Sequence, residues 1–190
     1  MGLSIHYSGQ LKDPVLITEL MIEVVDVCKE LSWAYHLIPG PNSDKLTGIV
    51  FSPTGSEPIC LTCLPDGRLC SPFNIMNKDL YEENELDAEL IYTTSTKTQY
   101  AGMETHIAII KLLKYLKEKY FSVFELIDEG GYWETMDEKI LLGQFTTYET
   151  AINRLIEALG QIEPTETETA ESIADRVERL LKEKLSNNNS

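Results

Sequence analysis

The stretch Ile59-Cys60-Leu61-Thr62-Cys63-Leu64-Pro65-Asp66-Gly67-Arg68-Leu69-Cys70 decides how this chain is read. As a set of residue types it offers Cys-x-x-Cys with a further cysteine nearby, much of a structural zinc site. As backbone it is a strand, a Pro-Asp-Gly turn and a returning strand. Proline presets φ, glycine accepts positive φ, and a type I turn with a glycine bulge sets Leu64 opposite Arg68. In that register Ile59, Leu61, Cys63 and Leu69 share an apolar face, and Cys60 and Cys70 lie diagonally on the other. Residues three apart in a strand point to opposite faces, so Cys60 and Cys63 do not converge. The thiols therefore read as structural and no metal site is expected. A redox pairing of Cys60 with Cys70 is the remaining chemistry.

The same reading extends outward. Short apolar runs at 33–38, 48–51, 59–64 and 69–73 are separated by Pro-Gly-Pro-Asn, Pro-Thr-Gly-Ser and Pro-Asp-Gly, which predicts an antiparallel meander. Upstream, Leu3, Ile5 and Tyr7 alternate with Ser4, His6 and Ser8 in a half-buried strand closed by Gly9. Asp13-Pro14 is an N-cap with proline at the first helical position. Ile17, Leu20, Met21, Val24, Cys28 and Leu31 then make the apolar stripe of a helix over 13–32. Downstream, 74–89 is an acidic connection and 90–99 a strand poor in apolar residues. A helix over 102–121 buries Ile109, Leu112, Leu113, Leu116 and Tyr120, and 123–127 forms a last short strand.

Thr135-Met136-Asp137-Glu138 has the spacing of a capping box and opens a long helix to Gly160. Its apolar positions Leu141, Phe145, Tyr148, Ile152, Leu155 and Leu159 step by four and three, a heptad seam. A polar linker leads to a further helix with Ala170, Ile173, Val177, Leu180 and Leu181 on one side. The expected fold is α+β: an antiparallel or mixed sheet of about five to seven strands packed on two amphipathic helices, with a C-terminal helical hairpin. The expected organisation is an α+β domain over 1–134, the hairpin over 135–185, packed on that domain or on a partner, and a disordered tail over 186–190.

Charge narrows the partners. The 190 residues carry a formal charge of −15 and a pI near 4.5. Nucleic-acid binding needs a surplus of Lys and Arg to displace counterions, and anionic membranes ask for the same, so neither is an expected partner. No apolar run reaches the length of a membrane span, and the first residues have no basic or apolar leader. The myristoylation pattern that Gly2 begins asks for Ser or Thr where His6 stands. Four cysteines without an export signal predict free thiols in the cytoplasm.

Two places invite chemistry. His106 lies in the first turn of the 102–121 helix, in line with Ile110 and Leu113, just after the polar run 94–99. A helix N-terminus presents free N–H groups and positive potential. With Lys97 and His106 nearby and Glu104 opposing, a small anion such as phosphate or a carboxylate would fit there. The loop Asp128-Glu129-Gly130-Gly131-Tyr132-Trp133-Glu134 would add Trp133 as a cover; its competing reading is a turn into a capped helix. His6 between Ser4 and Ser8 reads as a solvated strand face.

No catalytic triad, nucleotide loop or metal spacing appears, and no cofactor is expected. The function these residues favour is a non-catalytic, cytoplasmic protein-binding or regulatory protein, with another protein or a second copy of the chain as its partner. It would act through Leu141, Phe145, Tyr148, Ile152, Leu155, Leu159, Ile173, Val177 and Leu180. The alternative is an enzyme or ligand-binding domain for a small anion at Lys97, Glu104, His106 and Trp133.

Overall fold

The computed structural model describes residues 3–38, 46–76 and 90–160, with the side chains of the last helix described as far as Arg154. The chain divides into two compact units, Met1–Phe145 and Thr146–Ser190. Among the described residues the first unit is α+β, as expected, but its six strands form two three-stranded antiparallel sheets instead of one.

The first sheet has β1 (Ser4–Leu11) at its centre, flanked by β5 (Thr94–Lys97) and β6 (Phe121–Asp128). Ile5 stands opposite both Thr96 and Asp128. Leu3, Ile5 and Tyr7 are buried, as the alternation predicts. Gly9 does not close the strand. It sits inside it, where an added Cβ would stand about 3.0 Å from the Phe121 and Phe124 rings and from Val123 C=O, so those neighbours would have to give way.

The second sheet is β2 (Ala34–Ile38), β3 (Thr47–Ser52) and β4 (Ile59–Cys63), in that order. The turn after β4 follows the predicted register: Leu64 N–H donates to Arg68 C=O (2.9 Å) and Gly67 N–H to Leu64 C=O (2.8 Å). Cys63 faces Leu69, and Ile59, Leu61, Cys63 and Leu69 are all buried on one side. The return arm is not a strand over 69–73. Arg68 and Leu69 make only isolated bridges, to Gln10 and Cys63, and Pro72 then opens the short helix α2 (Pro72–Met76). Ser71 Oγ accepts the Asn74 N–H (3.1 Å), so Ser71-Pro72 is the same N-cap and proline pair that starts the first helix. That start ends the meander after the return arm.

The sheets are joined by side chains and by the return arm. Tyr7 Oη both donates to Cys60 C=O and accepts the Cys60 N–H, each at 3.0 Å. Leu69 N–H donates to Gly9 C=O at 2.9 Å. Asp13 caps a 3₁₀ turn, Pro14–Leu16, that leads into α1 (Ile17–Glu30). Ile17, Leu20, Val24 and Cys28 are buried, Met21 is half-buried, and Leu31 lies beyond the helix and is exposed. Burying aliphatic side chains of this kind stabilises a fold by about 1.5–3 kcal/mol each.

Only Thr94–Lys97 of the predicted 90–99 strand is extended; Leu90–Tyr92 is a 3₁₀ turn. Helix α3 (Met103–Tyr120) buries His106, Ile109, Ile110, Leu113, Leu116 and Tyr120. After β6, α4 (Tyr132–Thr135) precedes α5 (Glu138–Gly160). The predicted capping box does not form. Thr135 belongs to α4, Met136 takes a left-handed φ of 52°, and Asp137 caps α5 by accepting the Lys139 N–H at 2.8 Å. Residues of α5 from Thr146 onward belong to the second unit. The predicted final helix, with Ile173, Val177 and Leu180, lies outside the described residues.

Candidate functional site

Four chain segments meet at one end of the first sheet: the start of β1, the residue after β5, the first turn of α3 and the end of β6. Thr98 follows β5, and its N–H donates to Leu3 C=O at 2.9 Å. Gly102 begins α3 with φ 81°, and its carbonyl accepts the His106 N–H. This start turns the imidazole inward, beneath the end of the sheet, where it is fully buried.

His106 Nδ1 lies 2.8 Å from Thr98 Oγ1. Nε2 lies 3.1 Å from Asp128 Oδ1, yet off the N–H direction, so it has no in-line hydrogen bond. The Asp128 carboxylate is the hub. Oδ1 accepts the Gly130 N–H (2.7 Å), and Oδ2 accepts those of Tyr132 (2.8 Å) and Trp133 (3.0 Å). Gly130 leaves little room here: a Cβ would fall 3.1 Å from His106 Nε2 and 2.6 Å from a Leu141 methyl, so side chains around it would have to shift. The Phe145 ring meets the imidazole edge-on, 6.0 Å between centroids.

Burial by itself would raise the pKa of Asp128. The hydrogen-bonding contact and charge of His106, with the Trp133 and Gly130 N–H groups, outweigh that and hold the carboxyl below its ordinary value. Thr98 Oγ1 meets both His106 Nδ1 and, at 3.3 Å, the Leu3 carbonyl, to which the Thr98 backbone N–H also donates. A hydroxyl, an imidazole and a carboxylate are the groups of an acyl-transfer triad. Here Thr98 and His106 are fully enclosed and Asp128 is 6% exposed, so no substrate carbonyl can reach the hydroxyl. The arrangement fixes the ends of four segments.

The sequence brought His106 into view but not its partners. Lys97 is half-exposed on the outer face of the first sheet, opposite Ser4. Its backbone N–H donates to Glu57 Oε2. Glu104 is exposed. The Trp133 indole lies against Phe124 (6.1 Å), with Lys114 and Lys117 Nζ 5.1 and 5.2 Å from its ring centre. Lys114 is two turns further along α3, about 12 Å from His106 along the axis. The Trp133 indole is thus directed to Phe124 and the α3 lysines, and the His106 ring to Thr98 and Asp128. The three carboxylates of the loop also diverge: Asp128 turns inward, Glu129 accepts the Ser4 N–H at 2.7 Å, and Glu134 is exposed. His6 Nε2 faces Glu129 at 3.7 Å.

Along the predicted seam, Leu141 and Phe145 are buried in the first unit, while Tyr148 and Ile152 are half-buried. The side chains of Leu155 and Leu159 lie outside the description. Cys28, Cys63 and Cys70 are buried and Cys60 is half-buried; all four are free. Burial pushes the thiols up, to about 12 for Cys63, where Asp66 and Cys70 add to the shift, and to about 11 for Cys60. Among the described residues no cluster of three His, Cys, Asp or Glu could hold a metal ion, and no helix is long and apolar enough to cross a membrane. Comparison with protein-family models, curated proteins and solved structures finds no match.

Proposed function

We propose that this is a non-catalytic, cytoplasmic protein that binds another protein through the part of α5 beyond Phe145. The observation that carries the reading is a change of use along one heptad seam. Leu141 and Phe145 are taken up by the core of the first unit, against Gly130 and His106. The same spacing then continues through Tyr148 and Ile152, which belong to the second unit and retain partial exposure. An apolar stripe that outlasts the core it first serves is a means of recognition by another helix. The free thiols support a reducing compartment. A small anion at Lys97, Glu104, His106 and Trp133 has no comparable support, because both imidazole nitrogens already face Thr98 and Asp128.

The test uses the full chain and the double variant Tyr148→Asp, Ile152→Asp, followed by light scattering and affinity capture. The expected result is a complex, with a partner or a second copy, that the variant loses while its main melting transition is unchanged. A wild-type chain that is monomeric and captures nothing sinks the reading, as does a variant that binds equally well.

A further inference from the structure

The outer edges of β4, β5 and β6 are taken or charged. β4 is met by the return arm, where Thr62 C=O accepts the Cys70 N–H, and by Tyr7 Oη on Cys60. β5 is met by Glu57, which donates its N–H to Lys97 C=O and accepts the Lys97 N–H on its carboxylate. β6 carries the exposed Glu125 midway along its length. β2 differs from all three. No described strand pairs with its outer edge, and Ala34, Tyr35, His36 and Leu37 are all exposed. The stretch 31–43 around it contains no Asp, Glu, Lys or Arg, in a chain of which 25% is charged. Sheets blunt an open edge with charge, proline or a covering loop; an edge left open and uncharged is suited to pairing.

The face that β2 shares with the core is also uncovered. Tyr35 stands opposite Phe51, and Leu37 opposite Ile49. Phe51 and Ile49 are fully buried, yet Tyr35 and Leu37 are 41% and 42% exposed on the same face. Helix α1 continues this surface. Its buried line is Ile17, Leu20, Val24 and Cys28. On one flank of that line Glu23 pairs with Lys119 of α3. On the other stand Met21 and Val25, both half-buried, and Ile22, which is 59% exposed. That second flank is turned away from α3, over β2.

We infer that β2 pairs antiparallel with β2 of a second copy of this chain, joining two three-stranded sheets into one. The usable length of strand fixes the register. Trp33 N–H is already given to Cys28 C=O, and Pro39 has no N–H, which leaves Ala34–Ile38. Paired with itself, this segment sets His36 opposite its own copy on the outer face and Tyr35 opposite Leu37 of the copy on the inner face. Apolar side chains meet on the core side, and no carboxylate, ammonium or guanidinium is brought against its own kind. A chain of charge −15 repels a second copy over most of its surface, so charge directs self-association to this uncharged edge. The two-fold axis of such a pair stands normal to the sheet. It puts both copies of α1 on one face, with their Ile22 flanks toward each other. The interface does not use α5, so it and the recognition assigned there fail separately.

The test is sedimentation equilibrium of the full chain across a concentration series, with mild oxidation of His36→Cys. Directly opposite Cα atoms of an antiparallel pair lie about 4.5–5.5 Å apart, within reach of a disulfide. His36→Cys should therefore form a disulfide between its two introduced thiols, identified by peptide mass. Tyr35→Cys should not, because its own copy lies diagonally, about 7–8 Å away and beyond that reach. The wild type should be a dimer in equilibrium with monomer. Leu37→Lys should weaken that dimer about tenfold or more while keeping the wild-type circular dichroism spectrum, and Tyr148→Asp, Ile152→Asp should retain it. A chain that stays monomeric at every concentration overturns the proposal, including one that takes up a foreign peptide on β2. So does a dimer in which His36→Cys crosslinks no better than Tyr35→Cys, one that a folded Leu37→Lys leaves unchanged, or one lost with the α5 variant. If Leu37→Lys does not fold, the two cysteine variants, both at exposed positions, still decide the question.

Discussion

Asp128 carries more of the structure than any neighbour of its type. Its side chain is fully buried and its oxygens gather three backbone N–H groups and the His106 contact. Asp128→Asn presents an NH₂ where only acceptors fit. The expected loss is about 2–4 kcal/mol at neutral pH, read by urea denaturation. The pH dependence has a definite sign. The folded pKa is depressed, so the stabilisation is fully present above the unfolded value of about 3.9 and is lost as pH falls through the folded value. The wild type should therefore lose stability more steeply than Asp128→Asn below about pH 4; parallel acid limbs would show that the carboxylate is not the group responsible. At this scale the sequence was half legible. The position of His106 on the inner line of its helix follows from spacing to Ile110 and Leu113. Its partners follow only from strand pairing, because Thr98 and Asp128 approach it through the register of β1 with two distant strands. Asp128 was visible as the first residue of the Gly-Gly loop, but nothing local says which way its carboxylate turns.

Among elements, turns and helix starts were the most readable. The Leu64–Arg68 pairing and the Asp13 cap form as their residue types require. Ser71-Pro72 carries the same start signal as Asp13-Pro14, but the apolar residues around it read as a strand. Thr135 shows the reverse case. The capping-box spacing is present, but Thr135 Oγ1 is engaged by Gly131 C=O at 2.6 Å and the chain restarts two residues later at Asp137. The close contact between β3 and β4 had no sequence signal beyond a glycine. A Cβ at Gly48 would stand 2.1 Å from the Leu61 carbonyl oxygen, and φ there is 152°. Gly48→Ala should destabilise the fold by roughly 3 kcal/mol or more. Thermal denaturation checks this, and a loss under 1 kcal/mol would mean that the two strands separate easily at that point.

For the whole molecule, a formal charge of −15 implies self-repulsion in the compact state. Raising NaCl from about 0.02 to 0.3 M shortens the screening length several-fold, and the melting temperature should rise by a few degrees. A fall would show that attractive pairs, such as Lys119 with Glu23, outweigh the repulsion.

The placement of β1 also bears on how the chain is made. Both its partners come much later in the sequence; Ser4 N–H finds the Glu129 carboxylate 125 residues away. At about 5–20 residues per second of synthesis, β1 waits on the order of 6–25 s for its second neighbour. Until β5 is made, Ile5 and Tyr7 have no strand to pair with, and until β6 follows the other edge of β1 stays open. The sheet therefore cannot be completed until most of the first unit has been made, and its central strand is the part of the chain that waits longest.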